Sequence, residues 1–429
     1  MRKLFLLSVF TARVFADPGS AVCAPCHAEI VERQSHSRMA RTAALEAPGK
    51  WSLGSGAIGR SYVSFIGDFL VQSPQSYFSK TKSVGLSPGF PNAQTFRPVE
   101  EPCLQCHTTG TKLVKGTQNQ YPNPPFAEPG ISCKRCHGPA AHHSVNPTKL
   151  APERRDNVCE QCHLTGAAKV TRAGKNPYDY QPGDRLGDFV SIFVSGAKSN
   201  ATDHAEQLAE SACKQGAGEK LWCVTCHDPH GGMKANTCQG CHSPDKCGRG
   251  PDCASCHMPK TDSKDAHVAF TNHRIGRKTS PQRPLRLFWD APIPPRDLAL
   301  AQPSIPRLER VEPKDAAVLT QLGQLYDQAG RAADAVRVYR EALRLNPDEP
   351  TAAANLAIYE AQDGQTAAAE ARWQSVFARY PGLPGPGLNL AAAQVQRGDK
   401  KAAIQTLRRL LQFHPGHTQA KQILDRLTR

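Results

Sequence analysis

Residues 223–257 read CVTCHDPHGGMKANTCQGCHSPDKCGRGPDCASCH, three copies of Cys-x-x-Cys-His whose first cysteines, Cys223, Cys238 and Cys253, are 15 residues apart. Cys226-His227, Cys241-His242 and Cys256-His257 complete them. Upstream lie four more: Cys23-x-x-Cys26-His27, Cys103-x-x-Cys106-His107, Cys133-x-x-Cys136-His137 and Cys159-x-x-Cys162-His163. Together the seven motifs take up fourteen of the sixteen cysteines. Spacings this short leave no room for a separate folded unit around each motif, so the motifs crowd into one body. Composition agrees that an ordinary apolar core is not the main support. The chain has 39% hydrophobic residues, sixteen Cys, sixteen His and only four Met among 429 residues, with a mean hydropathy of -0.49.

Two thiols at this spacing add across the two vinyl groups of one haem, and the His directly after the second thiol binds its iron. Zinc ribbons also use Cys-x-x-Cys, but they pair two knuckles and need no His after each one. A thioredoxin-like motif would occur once, beside a strand-helix unit. Seven pairs, each followed by His, therefore predict seven covalently attached haem c groups. Each Cys named above is an attachment point, and His27, His107, His137, His163, His227, His242 and His257 are the proximal iron ligands.

Residues 1–16 read as an export signal: Arg2 and Lys3, an apolar stretch from Leu4 to Ala12, and Val14-Phe15-Ala16 as a small-residue cleavage site. This predicts a periplasmic or otherwise extracytoplasmic protein. No later apolar run of about 18 residues offers an integral membrane segment. The formal charge of +15 falls to +12 once Arg2, Lys3 and Arg13 are removed. Such a balance ordinarily suggests nucleic acid as a partner. Seven haems, each bringing about -1 when ferric and about -2 when ferrous, would take the charge to about +5 or about -2, so nucleic acid is not expected.

Certain stretches resemble multihaem c-type cytochromes of the cytochrome c-554-like kind. They are Cys23-Ala-Pro-Cys26-His27-Ala-Glu-Ile with Ser35-His36, Cys133-Lys-Arg-Cys136-His137-Gly-Pro with His142-His143, and Cys223-Val-Thr-Cys226-His227-Asp-Pro-His230-Gly. The resemblance covers about residues 20–276 and implies periplasmic electron transfer through closely stacked haems. Outside the motifs this region holds His36, His142, His143, His204, His230, His267 and His273, seven spare imidazoles for seven irons. The resemblance favours His36, His142 or His143, His230 and His273 as distal ligands, ahead of His204 and His267. Met39, Met233 and Met258 are the other possible ligands. The two remaining cysteines, Cys213 and Cys247, are the candidates for a disulfide in an oxidising compartment. Between the first two motifs, Tyr62-Val-Ser-Phe65-Ile and Phe69-Leu-Val-Gln around Gly67-Asp68 predict a small β-hairpin.

Residues 277–313 are Pro-rich, with Pro281, Pro284, Pro292, Pro294, Pro295, Pro303, Pro306 and Pro313, and predict an extended, stiff connector. Its Leu285, Leu287, Phe288 and Trp289 predict packing along a surface. Beyond it the chain repeats with a period of 34: Gly330, Gly364, Gly398; Ala335, Ala369, Ala403; Pro347, Pro381, Pro415; Leu322, Leu356, Leu390. The pattern resembles the tetratricopeptide repeat, with three units over residues 316–417 and a capping helix over 418–429. Repeats 2 and 3 carry Glu360 and Gln394 where the first has Tyr326, and His414 and His417 are expected to face solvent.

The organisation expected is thus a signal (1–16), a heptahaem cytochrome domain (17–276), a linker (277–313) and a tetratricopeptide domain (314–429). The fold class is mostly α with extensive loop, followed by an all-α solenoid. The function expected is an electron relay, with enzymatic activity left open, unidentified donor and acceptor proteins, and a solenoid that docks a peptide or protein. Two alternatives stand beside it: an oxidoreductase acting on a small nitrogen or sulfur compound at one open-coordinate haem, and an assembly subunit of a larger cytochrome complex. No Cys-x-x-Cys-Lys variant marks a reductase haem. Separable domains predict that deleting residues 316–429 leaves the haem spectrum intact.

Overall fold

The structure, a computed structural model, describes residues 21–139, 145–196, 202–235, 237–243, 252–263, 268–276 and 283–429. The signal segment 1–16, His142, His143, Cys247 and His267 lie outside the described residues.

Helix α1 (Ala24–Ser35) carries the first motif and leads into an antiparallel sheet. Its strands are β1 (Ala43–Ala47), β2 (Lys50–Leu53), β3 (Gly59–Ile66), β4 (Phe69–Phe78) and β5 (Ser83–Leu86) in sequential order, with β6 (Arg97–Pro98) pairing β4. The expected hairpin is there, with Ile66 opposite Phe69 and Gly67 at φ +59° in the turn. It is the centre of six strands, however, and not a small isolated unit. The flanking strands AALEA and KWSL carry no clean alternation of apolar and polar residues, so nothing local announces them.

Successive side chains on a strand face opposite sides, and β4 uses this to join two parts of the molecule. Leu70, with Trp51, Leu53 and Val63, packs on Leu104, Tyr121 and Phe126. Phe69 and Val71 face the other way and meet Phe413 of the repeat region. Leu104 belongs to α2 (Glu101–His107), the second motif, which is followed by the hairpin β7 (Thr108–Thr111) and β8 (Phe126–Pro129). Next come α3 (Lys134–His137) with the third motif and α4 (Pro152–His163) with the fourth.

A second sheet is formed by β9 (Ala168–Thr171), β10 (Val190–Val194) and the later β15 (Arg286–Leu287) in the order β15-β10-β9. All five residues of β10 are buried. Val190, Ile192 and Val194 pack with Leu164, next to His163, whereas Phe193 packs with Val170 and Leu287 beneath Leu298 and Leu300. This sheet has one face on a motif and one on the Pro-rich stretch that precedes the repeats. Between β10 and β15 run α5 (His204–Ala209), α6 (Ala212–Ala217) and α7 (Cys223–Cys226). They are followed by the pair β11 (His227–Asp228) and β12 (Gly232–Met233), α8 (Cys253–His257), and the pair β13 (Lys260–Ser263) and β14 (Val268–Thr271).

The Pro-rich stretch is not an extended connector. It forms α9 (Pro295–Ala301) and α10 (Ile305–Glu309), each with Pro in its first turn, where the missing N–H has no helical partner to lose. Ala299, Leu308 and Val311 pack on Val318, Leu319 and Leu322 of the first repeat, so this stretch caps the solenoid. Leu287 is buried as its apolar character predicts.

The solenoid comprises α11 (Ala316–Gln328), α12 (Ala332–Leu345), α13 (Pro350–Gln362), α14 (Thr366–Arg379), α15 (Pro384–Gln396), α16 (Lys400–Phe413) and the capping α17 (Thr418–Thr428). Gly330, Gly364 and Gly398 turn each pair at φ +71°, +79° and +84°. Gly323 is required for a different reason: a Cβ there would lie 2.4 Å from the Tyr339 ring. Where repeats 2 and 3 lack the tyrosine, buried Glu360 accepts from Arg372 at 2.8 Å and buried Gln394 accepts from Thr406 at 2.9 Å. His414 and His417 do not simply face solvent. His414 Nε2 donates to the Pro381 carbonyl at 3.0 Å, and His417 accepts from Ala420 N at 3.4 Å as the N-cap of α17.

Candidate haem sites

The motifs share one local shape. The amide of the motif His returns to the carbonyl of the first Cys at 2.9 Å in Cys23–His27, Cys133–His137 and Cys238–His242. In α2 and α4 the motif forms the last turns of the helix. One turn of this kind brings the two sulfurs and the imidazole to one side, as a single ring held at both sulfurs needs.

Tertiary folding then brings sulfurs of different motifs together. Cys23 comes within interaction distance of Cys133, Cys106 of Cys162, Cys159 of Cys223 and Cys238 of Cys253. As free thiols these groups respond strongly to each other. The contact with Cys162 brings Cys106 down to about 7, against burial and with help from Lys169 and Arg135. Burial carries Cys136 up to about 11. The contacts link motif one with three, two with four, four with five and six with seven. Cys213 lies beside Cys226 and Cys241, and burial raises its thiol.

Spare imidazoles face motif imidazoles. His230 lies opposite His137 with ring centroids 6.1 Å apart and planes 9° apart. His273 lies opposite His227 at 6.2 Å and 22°. His204 meets His163 at 5.4 Å and touches His273 at 4.4 Å. An imidazole nitrogen binds a transition metal at about 2.0–2.1 Å, so two rings trans across one metal have centroids about 6 Å apart. Burial holds His163, His227, His230 and His273 below the usual imidazole range. Burial, with His273, His163 and His227 close by, takes His204 to about 3. Neutral imidazole is the form that ligates metal. The Nδ1–H of His137 donates to the Val145 carbonyl at 2.9 Å and that of His273 to the Thr271 carbonyl at 3.0 Å, which places the lone pair on Nε2.

His36 is placed differently: it is 73% exposed and bonds Glu32 at 2.9 Å. Met233 is exposed as well. Buried polar atoms supply a further test of fit. The hydroxyls of Tyr121 and Tyr180 and Nε1 of Trp51 have no hydrogen-bond partner among the described residues. Tyr121 lies within electrostatic reach of Cys103, and Tyr180 within reach of Cys159 and Cys136. Orphaned buried donors beside the sulfurs fit a polar-edged group lodged there. Among the described residues no three His, Cys, Asp or Glu side chains are placed to share one metal ion. Sequence reasoning did not single out Tyr121, Tyr180 or the x residues inside the motifs, Gln105, Arg135 and Gln161, which bond from one motif to the next.

The solenoid is fastened to these sites at two ends. Buried Asp297 of α9 accepts from Ser191 of β10 at 2.6 Å and from Arg296 at 2.7 Å, and pairs with Arg172 at 3.4 Å. At the other end, Phe413 meets Phe69 edge to face at 5.6 Å. Gln118 N donates to the Arg379 carbonyl at 3.2 Å, Gln118 Nε2 donates to Glu100 beside the second motif at 2.9 Å, and Gly416 N donates to Gln94 O at 2.9 Å. No helix of the described residues is long and apolar enough to cross a membrane.

The family model described as cytochrome c554 and c-prime matches residues 79–138, a span that holds the second and third motifs. Two tetratricopeptide repeat models match residues 316–359 and 360–427. No curated protein matches the sequence. Similar solved structures include the first TPR domain of human RPAP3, at 21% identity over 26% of this chain and 89% of that one with a TM-score of 0.24. The Arabidopsis OM64 TPR domain matches at 22% over 26% and 93%, TM-score 0.25. MamA AMB-1 matches at 20% over 29% and 69%, TM-score 0.26. With motif turns, facing imidazoles and helix-pair repeats in one body, the chain joins a cytochrome c554-like region to a C-terminal tetratricopeptide repeat domain.

Proposed function

We propose that this protein is a periplasmic heptahaem cytochrome that relays single electrons, with its solenoid docking a redox partner. The observation that carries the reading is the facing of motif and spare imidazoles, His137 with His230 and His227 with His273, at the separation two trans ligands require. Haem c, when bound, supplies a one-electron iron couple. The chain's own residues do the rest. Fourteen cysteines hold the rings, and the seven motif histidines are the proximal ligands. His204, His230 and His273 serve as distal ligands beside His163, His137 and His227. His36, His142, His143 and His267 remain candidates for the other irons, and Cys213 with Cys247 for a disulfide.

Ligands on both sides of an iron leave no position for substrate, which suits a carrier. The sulfur contacts set motif one beside three, two beside four, four beside five and six beside seven, and buried neutral imidazoles are ready to ligate without releasing a proton. The export signal at 1–16 supports a compartment where thioether attachment takes place. Tetratricopeptide solenoids dock peptides and proteins, and here the docking element is bolted to the sheets that carry the sites. Low-temperature EPR on the oxidised holoprotein, after its haem content is measured, tests the reading. Only low-spin signals, with seven haems per chain, are expected. A high-spin signal worth one haem that shifts on adding nitrite, hydroxylamine or sulfite would replace the relay by an enzyme.

A further inference from the structure

Three motifs share one cation. Arg135 is the second x of the third motif, between Cys133 and Cys136. Its Nη2 donates at 3.1 Å to the carbonyl of Gln105, the second x of the second motif. Its own carbonyl accepts at 3.2 Å from Nε2 of Gln161, the second x of the fourth. Residues at the same place in three motifs are thus laced together through Arg135, whose guanidinium reaches the second motif and whose carbonyl receives the fourth. Arg135 Nε is buried with no hydrogen-bond partner, and among the described residues no carboxylate pairs with this side chain. Its neighbour Lys134, by contrast, is paired with Glu128 at 3.6 Å.

A half-buried cation with no carboxylate partner disfavours the redox state of a neighbouring iron that carries the greater positive charge, and so favours the reduced one. Arginine suits such a place because it stays charged when buried and its planar fork is held by directed hydrogen bonds. We propose that Arg135 is a shared positioning and tuning residue that raises together the potentials of the three haems held by motifs two, three and four. That junction then retains electrons in preference to the rest of the protein. The proposal rests on the heptahaem reading above.

The test is a spectroelectrochemical titration of the purified holoprotein. In Arg135→Gln, three of the seven one-electron components are expected to fall. At a fixed applied potential their oxidised-to-reduced ratio rises by about tenfold, equivalent to about 59 mV for a one-electron couple, and the other four stay in place. Arg135→Lys should restore most of the change, because the charge is back although the fork is not. Gln161→Glu brings a carboxylate to the same junction and keeps Arg135; it should lower the same components, and it serves if Arg135→Gln fails to assemble. The proposal is overturned if the components stay in place in Arg135→Gln or, where that variant does not assemble, in Gln161→Glu. It is also overturned if Arg135→Lys is displaced as far as Arg135→Gln, which would make the effect one of packing. A wild-type protein without haem absorption, or with fewer than seven components, refutes the haem reading itself before any variant is compared.

Discussion

Replacing Phe413 by Ala tests whether the solenoid is part of the cytochrome body or merely attached to it. Phe413 is 4% exposed, and it packs on Phe69 and Val71, which are 7% and 2% exposed. Truncating a buried Phe to Ala costs about 3–5 kcal/mol. The junction borders a cavity of about 320 Å³ lined by Phe69, Phe413, Arg409 and Asp68, which gives neighbouring side chains room to relax. We therefore expect the lower end, about 3 kcal/mol. For a unit the size of the solenoid this lowers the melting temperature by roughly 10 °C. The assay is thermal unfolding of the holoprotein by far-UV circular dichroism, which reports the helices, while the haem bands report the other region. The Phe69→Ala, Phe413→Ala and double variants complete a cycle whose coupling should be about 0.5–1.5 kcal/mol for an edge-to-face pair. A Phe413→Ala protein that melts like the wild type, or a cycle with no coupling, would refute the docking of the last repeat on the sheet.

Other perturbations follow from the same geometry. Asp297→Ala leaves Arg296 and Arg172 without their shared buried carboxylate, at a cost of about 3–5 kcal/mol; chemical denaturation should show it as a lower midpoint at unchanged slope. Deleting residues 316–429, which separable domains would tolerate, should instead expose Phe69 and Val71 and the Ala299, Leu308 and Val311 face of the capping stretch, and so reduce the yield of soluble holoprotein. Gly323→Ala should cost about 1–3 kcal/mol, because the Tyr339 ring occupies the space of the new methyl. Burial depresses His414 below the unfolded imidazole value of about 6.5. The unfolded chain therefore binds more protons than the folded one as pH falls below that value, so stability is full above about 6.5 and declines toward acid. His414→Gln, which can still donate to the Pro381 carbonyl, should flatten that decline in melts recorded across the range.

How much of this could be read without coordinates depended on whether the information was local. The Cys-x-x-Cys-His spacing, the period of 34 in glycine, alanine, leucine and proline, and the Gly67-Asp68 turn are each set within a few residues, and their local structures agree with the reading. The Pro-rich stretch misled because proline is counted as a breaker, whereas Pro295 and Pro306 sit in first turns and start helices. The six-stranded sheet was under-read because β1 and β2 gain their stability from partners across the sheet.

From the chain alone came the number and type of attachment motifs, the pool of spare histidines and the repeat architecture, since each depends on covalent spacing or on a short-range period. Only the tertiary structure decided that His230 faces His137 and His273 faces His227. It alone placed Arg135 where three motifs meet, and Phe413 and Asp297 where the solenoid is fixed to the two sheets. Those pairings join residues 46 to 344 positions apart along the chain, apart from the motif lacing at 26 and 30. No local preference specifies such contacts. They follow from which faces of which strands are left to bury once the motifs have packed together.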